Sequence, residues 1–258
     1  MTLPKRDAIA DDLRKRISDG EFQPGDRLPT LAELEAAYSV SRGTAMDAVN
    51  QLEALGILER RLGRGGGNYV RHQLALDIYA WRDDQPMSTS SEADLFFRTV
   101  REQHREPSQD FSVRSEPMPS DYAQLLRVEP GEPAIVRRCV RKVDDIPHSI
   151  QDSWYPAWLC ERVPTLRQPE NIAIGTTRLL ASAGFHQPAA RAVATAVMPT
   201  PDEAAILRIP QAGLPVLHSV LTGYTEDGPL RISAATFAPG TRLVSEHGDI
   251  SLIDRFRQ

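Results

Sequence analysis

Two features of this sequence predict an α+β fold in two parts. Near the N-terminus, short amphipathic helices run into a glycine-tipped basic hairpin, the layout of a winged helix-turn-helix. Further on, a helix–turn–strand–turn–strand pattern occurs twice, which makes a pseudo-symmetric antiparallel sheet with helices packed on it. The expected division is residues 1–72 for the winged element, a linker over 73–91, and a second domain over 92–258.

In chain order, Ile9, Leu13 and Ile17 fall at i, i+4 and i+8 between Arg6 and Asp19, the stripe of an amphipathic helix that Gly20 stops. Pro24-Gly25 marks a turn. Thr30 and Glu33 form a T-x-x-E capping box that opens a second helix, burying Leu31 and Leu34 and ending near Tyr38. Ser41 caps a third, whose inner face is Ala45, Val49 and Leu52 and whose closing left-handed residue is Gly56. Ile57-Leu58 and Tyr69-Val70 read as a hairpin around Gly63-Arg64-Gly65-Gly66-Gly67-Asn68, and the three consecutive glycines are expected to give its tip extra freedom. The segment from His72 to Ser91 reads as a linker with a strand or helical piece at Leu74–Trp81.

The repeat carries the rest. Asp121-Tyr-Ala-Gln-Leu-Leu-Arg-Val matches Asp202-Glu-Ala-Ala-Ile-Leu-Arg-Ile, Gly131-Glu-Pro matches Gly213-Leu-Pro, and Asp145-Ile-Pro matches Asp227-Gly-Pro. Strands are expected at Ala134–Val143 and His148–Tyr155 in one copy, and at Val216–Tyr224 and Leu230–Phe237 in the other. A helix over Gly175–Ala183 and a strand over Ala189–Met198 are expected between the copies.

Composition narrows the function classes. The chain has 258 residues, 41% hydrophobic and 25% charged, with a net charge of −5, which argues against non-specific coating of nucleic acid and against a polybasic membrane anchor. Residues 1–72 hold 11 Lys/Arg and 11 Asp/Glu, so a DNA reader there must segregate its charges by face. Cys139 and Cys160 lack CxxC spacing and read as core packing in a reducing, cytoplasmic compartment. No apolar run is long enough to span a bilayer. The six histidines are scattered without metal-ligand spacing, and no GxSxG, Walker loop or paired acids stand out, so neither metal, cofactor nor catalytic residue is expected.

The first seventy residues resemble the GntR-type bacterial transcription regulators. The shared signature is Pro24-Gly25-Asp26-Arg27-Leu28-Pro29-Thr30, Val40-Ser41-Arg42-Gly43-Thr44-Ala45, the spacing Ala48-Val49 to Leu52 to Gly56, and Gly63-Arg64-Gly65. The duplicated pattern is similar to the effector-binding (UTRA) domain of the HutC branch, which implies a chorismate-lyase-like fold. The resemblance implies a homodimeric regulator, by preference a repressor, that binds a pseudo-palindromic duplex operator and answers to a small-molecule effector. Two other readings stay open: an enzyme of chorismate-lyase-like fold, and a DNA-binding protein switched by a protein partner without a ligand. The family's usual cations are missing at Ala32, Met46 and Asn50, and each absence removes about one counterion-release unit.

The expected DNA-contacting set is Thr30, Ser41, Arg42, Gly43, Thr44, Met46, Asn50, Arg60, Arg64 and Gly65. Arg42 reaches guanine or phosphate, Met46 and Asn50 touch base edges or a thymine methyl, and Arg60 and Arg64 approach the backbone from the wing. The bland alternative is a solvated helix face and hairpin tip, with Thr44 bonding only its own helix. For the effector, the family's basic pocket positions fall on Cys139 and Arg141 and its acidic one on Gln151. The expected set is Arg141, Gln151, Thr176, Thr177 and Phe237, with the Gly175-Thr176-Thr177 helix start offering N–H groups to an anion. Loss of the acid at Gln151 favours a carboxylate or a neutral hydrogen-bonding ligand over a sugar phosphate.

Overall fold

The computed structural model describes residues 4–71, 77–82, 92–209 and 214–246. The chain divides into two compact units, one built on the N-terminal residues and the other on most of the remaining chain.

In the first unit, α1 (Lys5–Ser18) ends at Asp19, with Gly20 in the left-handed region beyond it. At α2 (Leu31–Tyr38) both halves of the capping box form: the Thr30 hydroxyl accepts from the Glu33 N–H at 3.3 Å, and the Glu33 carboxylate accepts from the Thr30 N–H at 2.7 Å. That bond from the Thr30 backbone holds the Glu33 carboxyl below its ordinary value. The chain turns through left-handed Ser39 into α3 (Arg42–Ala54), where Ser41 Oγ accepts from the Thr44 N–H, and Gly56 closes the helix at φ 69°. The strands β1 (Leu58–Arg61) and β2 (Gly67–Val70) pair antiparallel. Ile9, Leu13, Leu34, Ala45, Val49, Leu52 and Leu58 make the buried core, while Leu31 lies half-buried at its edge.

In the second unit, the piece expected at Leu74–Trp81, strand or helix, is a strand over its described residues, β3 (Asp77–Arg82), and residues 74–76 lie outside the described residues. α4 (Glu92–Glu102) precedes β4 (Pro107–Pro117), α5 (Ser120–Leu126), β5 (Pro133–Val143) and β6 (Ile146–Pro156). Next come α6 (Ala157–Arg162), a 3-10 turn at Pro164–Arg167 and α7 (Thr176–Ser182). β7 (Ala189–Val197), β8 (Val216–Thr225) and β9 (Gly228–Phe237) come after these, β10 (Arg242–Glu246) pairs parallel with β3, and α8 (Pro201–Ile206), between β7 and β8 in the chain, is divided between the two units. The antiparallel sheet has the order β4-β5-β6-β9-β8-β7, so β4-β5-β6 and β7-β8-β9 mirror each other about its centre.

That order corrects the sequence reading of the repeat. The Ala189–Met198 strand does not lie between the copies. It opens the second copy as β4 opens the first, so the unit is strand–helix–strand–strand. Arg127 and Arg208 occupy matching places after α5 and α8, and both are left-handed, at φ 57° and 53°. β4 escaped notice because it is a polar edge strand with proline at both ends.

Strand pairing aligns Arg137 with Ser153 and Ser233, and Cys139 with Gln151 and Ala235. Side chains alternate along each strand, so positions 137, 139 and 141 of β5, 149 to 155 odd of β6 and 231 to 237 odd of β9 share one face. The opposite face packs on α5 through Met118, Ala123, Leu126, Val136, Trp154 and Ile232. A register shift at Arg141/Lys142 leaves His148 as the extra residue of a bulge.

Candidate functional sites

In the first unit, Arg27, Thr30, Arg42, Met46, Arg60 and Asn68 line a groove between the start of α2, the outer face of α3 and the hairpin. Arg42, Gly43, Met46, Asp47 and Asn50 are exposed, as an amphipathic α3 requires. Met46 is 44% exposed, and Leu62 on the hairpin is 89% exposed. The remaining expected residues divide by what holds them. Thr30 and Ser41 cap helices, and Thr44 lies 3.0 Å from the Ser41 hydroxyl. Arg42 comes only within 3.9 Å of Glu35. Arg60 donates to Asn50 Oδ1 at 2.8 Å and pairs with Glu53 at 3.1 Å, so two expected contacts hold each other. Arg64, at the exposed tip, makes no hydrogen bond or ion pair among the described residues.

At the hairpin tip, where the glycines suggested extra freedom, side-chain hydrogen bonds tie the turn to neighbouring residues. A Cβ on Gly66 would lie 2.9 Å from the carbonyl oxygens of Arg61 and Gly63, and one on Gly67 would lie 2.8 Å from Arg27 Nε. Arg27 donates to the Gly66 carbonyl at 2.8 Å, and the Tyr69 hydroxyl donates to that of Gly65 at 2.6 Å. A side chain at Gly66 would therefore collide with backbone, and two side-chain hydrogen bonds hold the tip in this conformation. Arg27, which the sequence reading did not select, ties the turn before α2 to the wing.

In the second unit, Arg141, Gln151, Thr176 and Thr177 line one cleft of about 550 Å³ on the shared sheet face, together with Arg137, Cys139, Ser153, Tyr155 and Arg231. Three arginines face this space, and its lining contains no carboxylate among the described residues. The sheet's nearby acid, Asp152, lies on the other face, paired with Arg138 at 2.8 Å and Arg114 at 3.1 Å. Arg137 is anchored by the carbonyls of Leu166, Gln168 and Glu170, and burial lowers its pKa from the ordinary arginine value. Arg231, only 2% exposed, donates to Gln187 at 2.9 Å, Ser233 at 2.7 Å and Thr177 at 3.1 Å. Thr177 thus positions an arginine within the lining. Gln151 donates weakly to Ser153 at 3.4 Å. Cys139, expected in the core, is buried and forms part of the wall, as does Tyr155.

Phe237 does not join this cleft. It lines a second one, of about 790 Å³, which also includes Arg141 and Gln151. Behind it, His148 is fully buried between the rings of Phe96 and Phe237, each 6.3 Å away, with Nε2 3.0 Å from the Thr241 hydroxyl. Burial, and then the charge of Arg141, push the His148 pKa down to about 4. Arg137 and Arg231 were not selected from the sequence. Their common signal was an arginine at an inward-facing strand position, which only the register reveals.

Known proteins match both units. The model of the bacterial regulatory proteins of the gntR family matches residues 5–67, and that of the UTRA domain matches residues 102–241, more than half of the chain. The mannosyl-D-glycerate transport/metabolism system repressor MngR of Escherichia coli K12 is 28% identical over 227 residues, covering 85% of each chain. The HTH-type transcriptional regulator GgaR of the same strain is 26% identical over 61% of this chain and 58% of its own. Among solved structures, PhnF from Mycobacterium smegmatis covers 93% of this chain and 99% of its own, with a TM-score of 0.52 at 20% identity. A GntR-family transcriptional regulator covers 95% and 98%, with a TM-score of 0.62 at 21% identity. These two likenesses establish the fold.

Proposed function

The chain belongs to the GntR family of bacterial regulatory proteins, with a UTRA domain as its second half, and on that premise we propose that it is a cytoplasmic repressor that holds its operator as a homodimer and releases it when a small organic anion fills the arginine-walled cleft. Members of this family are DNA-binding transcriptional regulators with an effector-binding domain rather than enzymes. The sign of regulation follows the relative named a repressor, which aligns over 85% of both chains.

One observation carries the effector reading: Arg137, Arg141 and Arg231 converge on a cleft whose lining has no carboxylate among the described residues. Partly desolvated cations in a low-dielectric wall attract an anion far more strongly than the same charges in water. Thr176, Thr177 and Ser153 add hydroxyls that fix its orientation. The dimer reading rests on footprint. One winged helix covers a half-site, and two related by a twofold axis read a pseudo-palindrome. Arg42, Met46 and the wing around Arg64 supply the reading surface.

The test is fluorescence anisotropy of the full chain on labelled duplex from the region upstream of its own gene, beside a scrambled duplex at the same salt. Preference for the upstream duplex by about a thousandfold, with two chains bound per site, is expected. Equal affinity for both duplexes would overturn the reading.

A further inference from the structure

We propose that the effector is an anion with an apolar arm, its charged head on Arg137, Arg141 and Arg231 and its arm in the second cleft, against Phe96, Leu221 and Phe237. This rests on the anion reading above and adds what the rest of the ligand must be.

The two clefts lie side by side on one face of the sheet and share Arg141 and Gln151 as common wall. Their chemistry differs. The first is polar and cationic. The second has Arg141 as its only charged lining residue among those described, and its sides are Ile78, Phe96, Leu221, Phe237 and Leu243. Its floor is kept low by small side chains on successive strands: Ser149, Ser233, Ala235, Ser219 and Ala192. A leucine at any of these would fill part of the space, so the volume is a property of the sequence and not of loose packing. Two hydroxyls on the wall, Thr99 and Ser149, are buried with no hydrogen-bond partner among the described residues. Buried hydroxyls are ordinarily paired, so an occupant with a polar atom along its arm would complete the wall. A bare inorganic anion would use the first cleft and leave the larger, apolar one unfilled.

The experiment uses calorimetric titration of the full-length protein with methyl phosphate, hexyl phosphate, acetate and hexanoate. Whichever head group binds, the longer member of the pair is expected to bind tighter, by about fourfold for each methylene seated. Comparison of the two heads distinguishes phosphate from carboxylate. Ala235→Leu on the floor, and Ala192→Met on the exposed edge strand β7 in case the first does not fold, should each bring the ratio of long to short affinities close to one. Operator binding without ligand reports that each variant is folded. The proposal is overturned if the long and short ligands bind alike in the wild type, or if the ratio survives both substitutions. Failure of all four probes would instead remove the anion reading, and the arm with it.

Discussion

Asn50 and Arg60 illustrate how the DNA-facing surface is arranged residue by residue. A bidentate contact to adenine needs both the oxygen and the nitrogen of a carboxamide. Arg60 already donates to Asn50 Oδ1, so that contact requires Arg60 to move. Arg42 is less constrained, with Glu35 3.9 Å away and the guanidinium mostly exposed. Arg42→Ala is therefore expected to lower the ratio of operator to random-duplex affinity by about tenfold or more. Arg64→Ala is expected to weaken both duplexes alike, because a wing contact to phosphate carries no sequence information. Anisotropy on both duplexes separates them, and equal losses for Arg42→Ala would reassign it to the backbone. In the second unit, His148 makes stability depend on pH. Its pKa is about 4 in the fold against an ordinary 6.5, so the unfolded chain binds more protons between those limits. Its contribution is complete above about pH 6.5 and is lost as pH falls toward 4, by about 3 kcal/mol in all. Urea unfolding across that range should show the slope in the wild type and a flatter one in His148→Gln. Parallel slopes would assign the acid sensitivity to other groups.

Among the elements, the wing and the capped helix are the most exposed to single changes. Gly66→Ala would bring a Cβ within 2.9 Å of two backbone oxygens, so the tip must open. DNA affinity should fall for all sequences while effector binding is retained; unchanged DNA affinity would mean that the tip does not touch the duplex. Thr30→Ala breaks the capping box and should cost about 1 kcal/mol, read by thermal unfolding of the winged element. These same local devices explain what was legible in the sequence. Caps at Thr30 and Ser41 and the closing Gly56 are decided within a few residues, so α2 and α3 followed directly from the chain. The turns Asp145-Ile-Pro and Asp227-Gly-Pro marked the hairpins of both copies. β4 was not legible because its polar pattern suits an edge strand and a loop equally. The parallel pairing of β3 with β10 joins residues more than 160 positions apart, and nothing local encodes it.

For the whole molecule, the ligand cleft shows the same limit more sharply. Arg141 and Gln151 came through family resemblance, Thr176 and Thr177 through the helix start they occupy, and the four line one cleft. Arg137 and Arg231 were missed because an arginine on a strand ordinarily faces water. Only the alignment of β5, β6 and β9 turns them to one side. A ligand there can act on DNA binding only through a difference in its affinity for the operator-bound and operator-free states. A tenfold release of operator needs about 1.4 kcal/mol of such difference. The most direct test measures the concentration of an operator-releasing organic anion that half-dissociates the complex, in the wild type and in Arg141→Ala. The account predicts that the variant needs at least about ten times more anion, because a charge-assisted contact is lost. The same half-dissociating concentration in both proteins would contradict it.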